Sequence, residues 1–396
     1  MSDEKLIAEV SHNHIKYAVC RQDKKLNYVI INKKIFENEG IKKGKILDFD
    51  LASKKINTDI KILEKETDTI FKNISIVVNE PEITCTNFSG FKKLNGSKVE
   101  KRDLDFILNE AKSSVIKSQE KNSILHILNS NFFLDKIKKN KMPIDIHGDR
   151  LSLHMTFISL PKNNINNIRS LFGSADLKID RIISKSFVCG IDLLNKKKET
   201  QNFFIINFDK EVSTISVFED ASMIILNTFP FGTNSIFRDI NQLCSMKRKE
   251  IRNVIKELNL SVNKLQKNNY IDKKFFTESK FTKLSTNHLK EIINARINEM
   301  VNYVYNNNKN LNFMDGKIHN SYIFFEDEDV FHFLGKLFVN SINKDILRSK
   351  VELGILNNFS ALNGAAELIF KGWHREAIPI SHKKKSIITS FFERFF

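Results

Sequence analysis

The chain has 396 residues and a formal net charge of +16, with 41% hydrophobic and 28% charged residues, an ordinary globular balance. That length accommodates two to four subdomains with their own cores, and no apolar run approaches the ~18 residues of a transmembrane helix. Cys20, Cys85, Cys189 and Cys244 are scattered without a C-x-x-C pair, which argues against a disulfide framework or a zinc site and fits a reducing cytosol. The opening M-S-D-E-K-L lacks the basic-then-apolar pattern of a signal peptide.

The basic balance does not read as nucleic-acid binding. Lys, Asn, Ile and Phe are abundant together while Gly (13) and Pro (5) are scarce, the combination that AT-rich codons produce. The lysines are spread along the chain, with no basic helix, arginine-rich arm or RNA-binding aromatic motif. Such a surface favours anionic lipid or an acidic partner peptide.

In chain order, Leu6–Val10, Ile15–Val19 and Asn27–Ile31 read as strands, and Leu51–Phe71 as a helix with Ile56, Ile60, Leu63 and Ile70 on one face. Ile74–Val78 is a short buried strand. Pro81 opens a different unit: strand Glu82–Asn87, helix Val99–Val115, strands Ser123–Leu128 and Leu151–Ile158, then helix Asn163–Leu171 stopped by Gly173 and strand Leu177–Ile183. Asn202–Phe208, Val212–Phe218 and Met223–Phe229 read as consecutive strands, followed by helices at Thr233–Leu243 and Lys249–Leu258. Residues 262–283 read as a Lys/Asn-rich loop. Ser285 or Thr286 caps a helix from Leu289 to about Tyr305. Strand Ser321–Phe325, helix Val330–Val339 and helix Phe359–Phe370 complete an α/β pattern in two halves, each opening with adjacent strands.

The last residues, Ser386–Phe396, follow Lys383, Lys384 and Lys385. On a helix of about 100° per residue, Ile387, Ile388, Phe391, Phe392, Phe395 and Phe396 fill one half of the circumference. Thr389, Ser390, Glu393 and Arg394 fill the other. At about 16 Å such a helix is too short to cross a membrane. It is suited to lie in the interface, its rings buried and its cations near anionic headgroups.

Short segments along the chain resemble the FtsA family, the actin-like membrane anchors of the bacterial division ring. Gly40–Asp48 is similar to that family's G-I-K-K-G-x-I-x-D, and Ile83–Asn87 to the strand that opens its inserted subdomain. Ile124–Leu128 with Phe132–Asp135 resembles V-L-H-x-x-P-x-x-Y-x-I-D without the proline, and Leu177–Ile183 resembles G-L-x-I-D-x-I-I. Pro230–Asn234 with Asp239 and Ile240 resembles P-x-x-G-x-x-x-x-x-D-I-A, and Leu362–Leu368 sits where the family has a small-residue helix. The amphipathic tail is a family hallmark. The resemblance covers most of the chain, is best over roughly 120–240 and poorest over 250–350.

The resemblance implies an actin-like fold of the actin/Hsp70 superfamily. It divides the chain into a first lobe (1–80 and 161–198), an inserted α/β subdomain (81–160) and a second lobe (199–235 and 316–372). A helical partner-binding subdomain (236–315), a linker (373–385) and the membrane helix (386–396) complete it. It implies a peripheral protein on the cytoplasmic face of the inner membrane that binds the FtsZ C-terminal peptide, self-associates into filaments and recruits later division proteins.

The nucleotide loops depart from the family. Where FtsA reads E-I-G-T-x-K, this chain has Glu9-Val10-Ser11-His12-Asn13-His14; where it reads D-I-G-G-G-T-x-D, the chain runs Asn207-Phe208-Asp209-Lys210-Glu211-Val212-Ser213-Thr214. The adenosine-side Gly-Gly aligns with Glu326-Asp327. Glycine lets backbone N–H groups approach phosphates, and carboxylates near Mg²⁺ help hold it. Losing all three sites points to a pseudo-ATPase that is not an enzyme and needs no ATP or Mg²⁺. The alternatives are an FtsA that binds ATP through atypical loops, a PilM-like scaffold of another membrane machine, which would lack the tail, and a basic nucleic-acid binder.

Other constellations read as structural. His12-x-His14 lacks a third ligand nearby, and Asp145-x-His147 with His154 surrounds an ordinary turn at Gly148. Ser11 and Ser213 lie in no nucleophile motif. The acidic run Glu326–Asp329 lacks the spacing of a calcium loop and reads as a solvated loop.

Overall fold

A computed structural model describes residues 4–23, 27–42, 45–198, 200–260, 270–279, 283–314, 320–342 and 351–379. The amphipathic segment Ser386–Phe396 and Lys383, Lys384 and Lys385 lie outside the described residues, as does much of 262–283. The chain divides into two compact units. One holds the described residues of 1–201, of 216–226 and from Phe359 on; the other holds those of 202–215 and 227–358.

In the first unit, β1 (Lys5–Val10) and β2 (His14–Gln22) pair antiparallel with Val10 opposite Ile15, and β3 (Tyr28–Glu37) adds to β2. After a small hairpin of β4 (Ile41–Lys42) and β5 (Lys45–Ile46), α1 (Phe49–Thr67) starts at Asp48, whose carboxylate accepts the Leu51 N–H at 2.9 Å. This is an N-cap. The helix buries Ala52, Ile56, Ile60 and Leu63 and stops at Asp68, which takes φ 50°. Ile70, expected on the inner face, lies beyond that stop and is 81% exposed. The mostly apolar β6 (Asn73–Val78), buried from Ile74 on, runs parallel to β1.

The chain then leaves for a separate antiparallel sheet: β7 (Thr84–Lys93), β8 (Asn122–Leu134), the short β9 (Ile137–Lys139) and β10 (Arg150–Pro161). Helix α2 (Lys101–Ser118) covers one face. Its Leu104, Ile107, Leu108 and Ala111 share a core with Leu151, Leu153, Met155 and Phe157 of β10. Helix α3 (Lys162–Gly173) brings the chain back to β11 (Lys178–Ser184), which runs parallel to β6. α4 (Lys185–Lys196) follows at once.

The next strands are β12 (Phe203–Phe208), β13 (Ser213–Glu219) and β14 (Ser222–Phe229), then helices α5 (Asn234–Cys244), α6 (Arg248–Leu258) and α7 (Thr286–Val301). β15 (Asn320–Phe325) lies parallel to β12; after α8 (Glu328–Ser341), β16 (Val351–Ile355) lies parallel to β15. The sheets β11–β6–β1–β2–β3 and β16–β15–β12–β13–β14 repeat one strand order. Each sets its three earliest strands side by side and adds two later ones beyond the first.

Helix α9 (Ser360–Lys371) returns to the first unit and packs on α4 so closely that a Cβ on Gly364 would lie 1.9 Å from Val188 O. Part of the expected linker is ordered. Trp373 Nε1 donates to Ala221 O at 3.0 Å, and Glu376–Pro379 forms β17, an edge strand on β8. Glu376 is 4% and Ala377 0% exposed, and the Glu376 charge has partners, so these two residues belong to the core rather than to a spacer.

Candidate functional site

In the first unit, Ser11–His14 closes the β1–β2 turn. The Ser11 hydroxyl and N–H both donate to His14 O, at 2.7 and 3.0 Å, and the Asn38 amide donates to Ser11 O and His12 O at 3.0 and 3.2 Å. The turn is thus clamped by its own chain. Glu9, buried just before it, pairs with Lys16 and Lys185 at 3.6 and 3.3 Å. Among the described residues no group of three His, Cys, Asp or Glu is placed to hold a metal ion.

The second unit brings together Asn207, Asp209, Lys210, Glu211, Thr214, Glu326 and Asp327. Parallel pairing sets Phe208 opposite Phe325, so the 209–212 turn and the 326–329 segment leave neighbouring strands at their carboxyl ends. There the Lys210 N–H donates to Glu326 Oε2 at 2.9 Å, and Lys210 Nζ stands 3.9 Å from Oε1. The start of α5 is folded onto the same turn. Thr233 N donates to Asp209 O and Asn234 N to Lys210 O, both at 2.9 Å. Gly232 permits this approach, since a Cβ would lie 2.3 Å from Asp209 O and 2.6 Å from Glu211 N. Glu211 faces α5, accepting from Asn234 Nδ2 at 2.7 Å and Arg238 Nη1 at 3.0 Å. Asn207 Nδ2 lies 3.5 Å from Thr214 Oγ1.

The acidic run is not a solvated loop. Asp327 is 4% exposed and caps α8, accepting the Asp329 and Val330 N–H groups at 3.1 and 3.3 Å. Arg252 grips it through both terminal nitrogens, at 3.1 and 2.5 Å, and reaches Asp329 at 2.6 Å. Burial alone would raise the Asp327 carboxyl, but the Arg252 hydrogen bonds and charge, with the Val330 N–H, hold it below its usual value. The Arg248 and Arg252 guanidinium groups lie against the Phe237 ring, 4.8 and 4.9 Å from its centroid, within cation–π range. Arg238, Arg248 and Arg252 were not singled out in the sequence, and Gly232 only as part of the Pro230–Asn234 motif. The available signal was arginine in a lysine-rich chain, chosen where a planar fork must meet a carboxylate.

A family model described as the SHS2 domain inserted in FtsA matches residues 81–159. The Cell division protein FtsA of Buchnera aphidicola subsp. Acyrthosiphon pisum is 22% identical over 345 residues, covering 87% of this chain and 77% of that protein. The FtsA of Borreliella burgdorferi is 23% identical over 219 residues, 55% of this chain and 52% of its own, so the chain matches about half the length of that relative. Among solved structures, a PilM–PilN type IV pilus biogenesis complex superposes with a TM-score of 0.57 at 9% identity, covering 91% of this chain and 90% of that one. The chain is thus similar to FtsA: residues 81–159 match the SHS2 domain inserted in that family and its relatives bear the FtsA name, while the repeated strand order and the structural likeness give an α/β chain of actin-like fold.

Proposed function

We propose that this chain is a cell division adaptor that tethers the FtsZ ring to the cytoplasmic face of the inner membrane and recruits later division proteins without hydrolysing ATP. The division role is carried by the inserted domain, matched as that of FtsA, together with relatives named Cell division protein FtsA. The basic balance of +16 suits an acidic peptide and an anionic surface, and the Ser386–Phe396 sequence suits an interfacial helix. One short helix binds reversibly, and filaments of the protein would strengthen the hold by multivalency. The partner-facing region is 236–315, built on α5, α6 and α7.

The reading without ATPase activity is supported by one observation: three main-chain donors at this edge are already used by the chain. The Lys210 N–H goes to Glu326, and the Thr233 and Asn234 N–H groups at the start of α5 go to the 209–212 turn. With carboxylates of Asp209, Glu211, Glu326 and Asp327 at the same edge, the residues present do not fit Mg-ATP. Calorimetry with Mg-ATP should show no binding in the micromolar range, and a low-micromolar dissociation constant would overturn this part. A pull-down with the FtsZ C-terminal peptide should enrich the chain over a scrambled control, less so as salt is added; no enrichment would remove the division-ring assignment and leave a PilM-like scaffold as the alternative.

A further inference from the structure

We infer that Glu326 is a resident anion: its carboxylate fills an oxyanion seat formed by the turn after β12, so the protein carries its own ligand there. The inference rests on the reading above that this edge does not hold nucleotide, and it names what holds the turn in place of one. Open α/β sheets take ligands at the carboxyl ends of their strands, where β12 and β15 end side by side. At that edge one carboxylate meets a main-chain donor, Lys210 N at 2.9 Å, and a cation, Lys210 Nζ at 3.9 Å. A main-chain N–H and an ammonium converging on one group is the arrangement that binds phosphate oxygens. The Lys210 and Glu326 side chains keep 22% and 20% of their exposure, so the seat faces solvent once the carboxylate is removed. Two of the neighbouring acids are held elsewhere, Glu211 by Asn234 and Arg238 and Asp327 by Arg252 and the start of α8.

Filled in this way, the turn keeps one conformation whether or not an anion is supplied. Emptied, the seat takes inorganic phosphate or pyrophosphate. The test uses the full chain as wild type, as Glu326→Ala and as Glu326→Gln. Glu328→Ala, an exposed neighbour with the same charge change, is the control. Melting midpoints are followed as pyrophosphate is titrated against sodium chloride of matched ionic strength. Glu326→Ala should show a saturable rise of several degrees, with an apparent affinity at least roughly tenfold above wild type, or about 1.4 kcal/mol. Wild type and Glu328→Ala should stay flat, and adding Lys210→Ala should abolish the rise. Where Glu326→Ala does not fold, Glu326→Gln carries the comparison with a smaller gain in the same direction. A folded variant that responds no more than wild type overturns the resident-anion inference alone. Wild type that binds pyrophosphate as tightly as the variant also overturns it, because the seat is then not filled. Low-micromolar Mg-ATP binding by wild type sinks the non-ATPase reading instead.

Discussion

His126 and Glu376 share a hydrogen bond of 2.8 Å between Nδ1 and Oε1 although 250 positions separate them. His126 Nε2 accepts the Ser184 N–H at 3.0 Å, so the ring proton sits on Nδ1 and is donated to the carboxylate. Arg181 Nη2 donates to the same carboxylate oxygen. Burial lowers the His126 pKa despite Glu376, which keeps the ring neutral. Burial alone would raise Glu376, but the Arg181 charge and the His126 hydrogen bond bring it below its usual value. This cluster fixes β17 to both β8 and β11, just before the segment that carries the proposed membrane helix.

Replacing Glu376 with Ala leaves Arg181 as a buried charge without its anion. Stability should fall by about 3–5 kcal/mol, read by denaturant unfolding, and hydrogen exchange should rise across 376–379 first. The sign with pH follows from the lowered carboxyl. The stabilisation is present above the unfolded value near 4.5 and is lost as the pH falls through the lower folded value.

Glu80 responds in the opposite sense. It is 3% exposed, on the crossing from β6 to β7, where the Asn164 amide donates to it and also, at 2.8 Å, to Glu82. Burial, with repulsion from Glu82, pushes its carboxyl from 4.5 to about 7 against the Asn164 hydrogen bond and the Lys45 charge. The folded state holds the proton more tightly than the unfolded chain, so this stabilisation is complete below 4.5 and drains away as the pH rises to about 7. Glu80→Gln should be more stable than wild type at pH 8, with the advantage gone near pH 4.5. Unfolding curves of the two proteins across this range test it; parallel curves would contradict it.

Gly364→Ala should destabilise by about 1–3 kcal/mol through overpacking, because the new methyl falls on the Val188 carbonyl. Thermal melts read the loss. An unchanged midpoint would mean that α4 and α9 separate without cost.

The core strands were legible because each is short and rich in apolar residues: Ile74–Val78, Ile15–Val19 and the start of β12 lie where expected. Helix α4 was not, because Lys185–Leu194 is buried along its whole length and an all-round buried helix shows no amphipathic stripe. β17 was missed because four residues carry no period and their partner β8 lies far off in sequence. The acidic run at 326–329 was misread for a similar reason: its cation, Arg252, is 75 residues from Asp327, a pairing that local pattern does not reveal. The degenerate turns were legible as lost glycines. That Glu326 would meet the Lys210 N–H required knowing that β12 and β15 are neighbours.

The amphipathic tail carries the membrane half of the proposal. Phe391→Glu or Phe395→Glu places a charge among the apolar side chains and should release the protein from anionic vesicles while leaving its melting midpoint unchanged. Undiminished sedimentation with lipid would rule out the helix as the anchor.

Tethering itself is tested most directly by sedimenting anionic vesicles with a labelled FtsZ C-terminal peptide and the full chain. The peptide should pellet with the vesicles when the wild-type chain is present, and stay in the supernatant with no protein or with Phe391→Glu. A peptide that remains in the supernatant beside vesicle-bound wild-type chain would mean that the chain does not tether FtsZ.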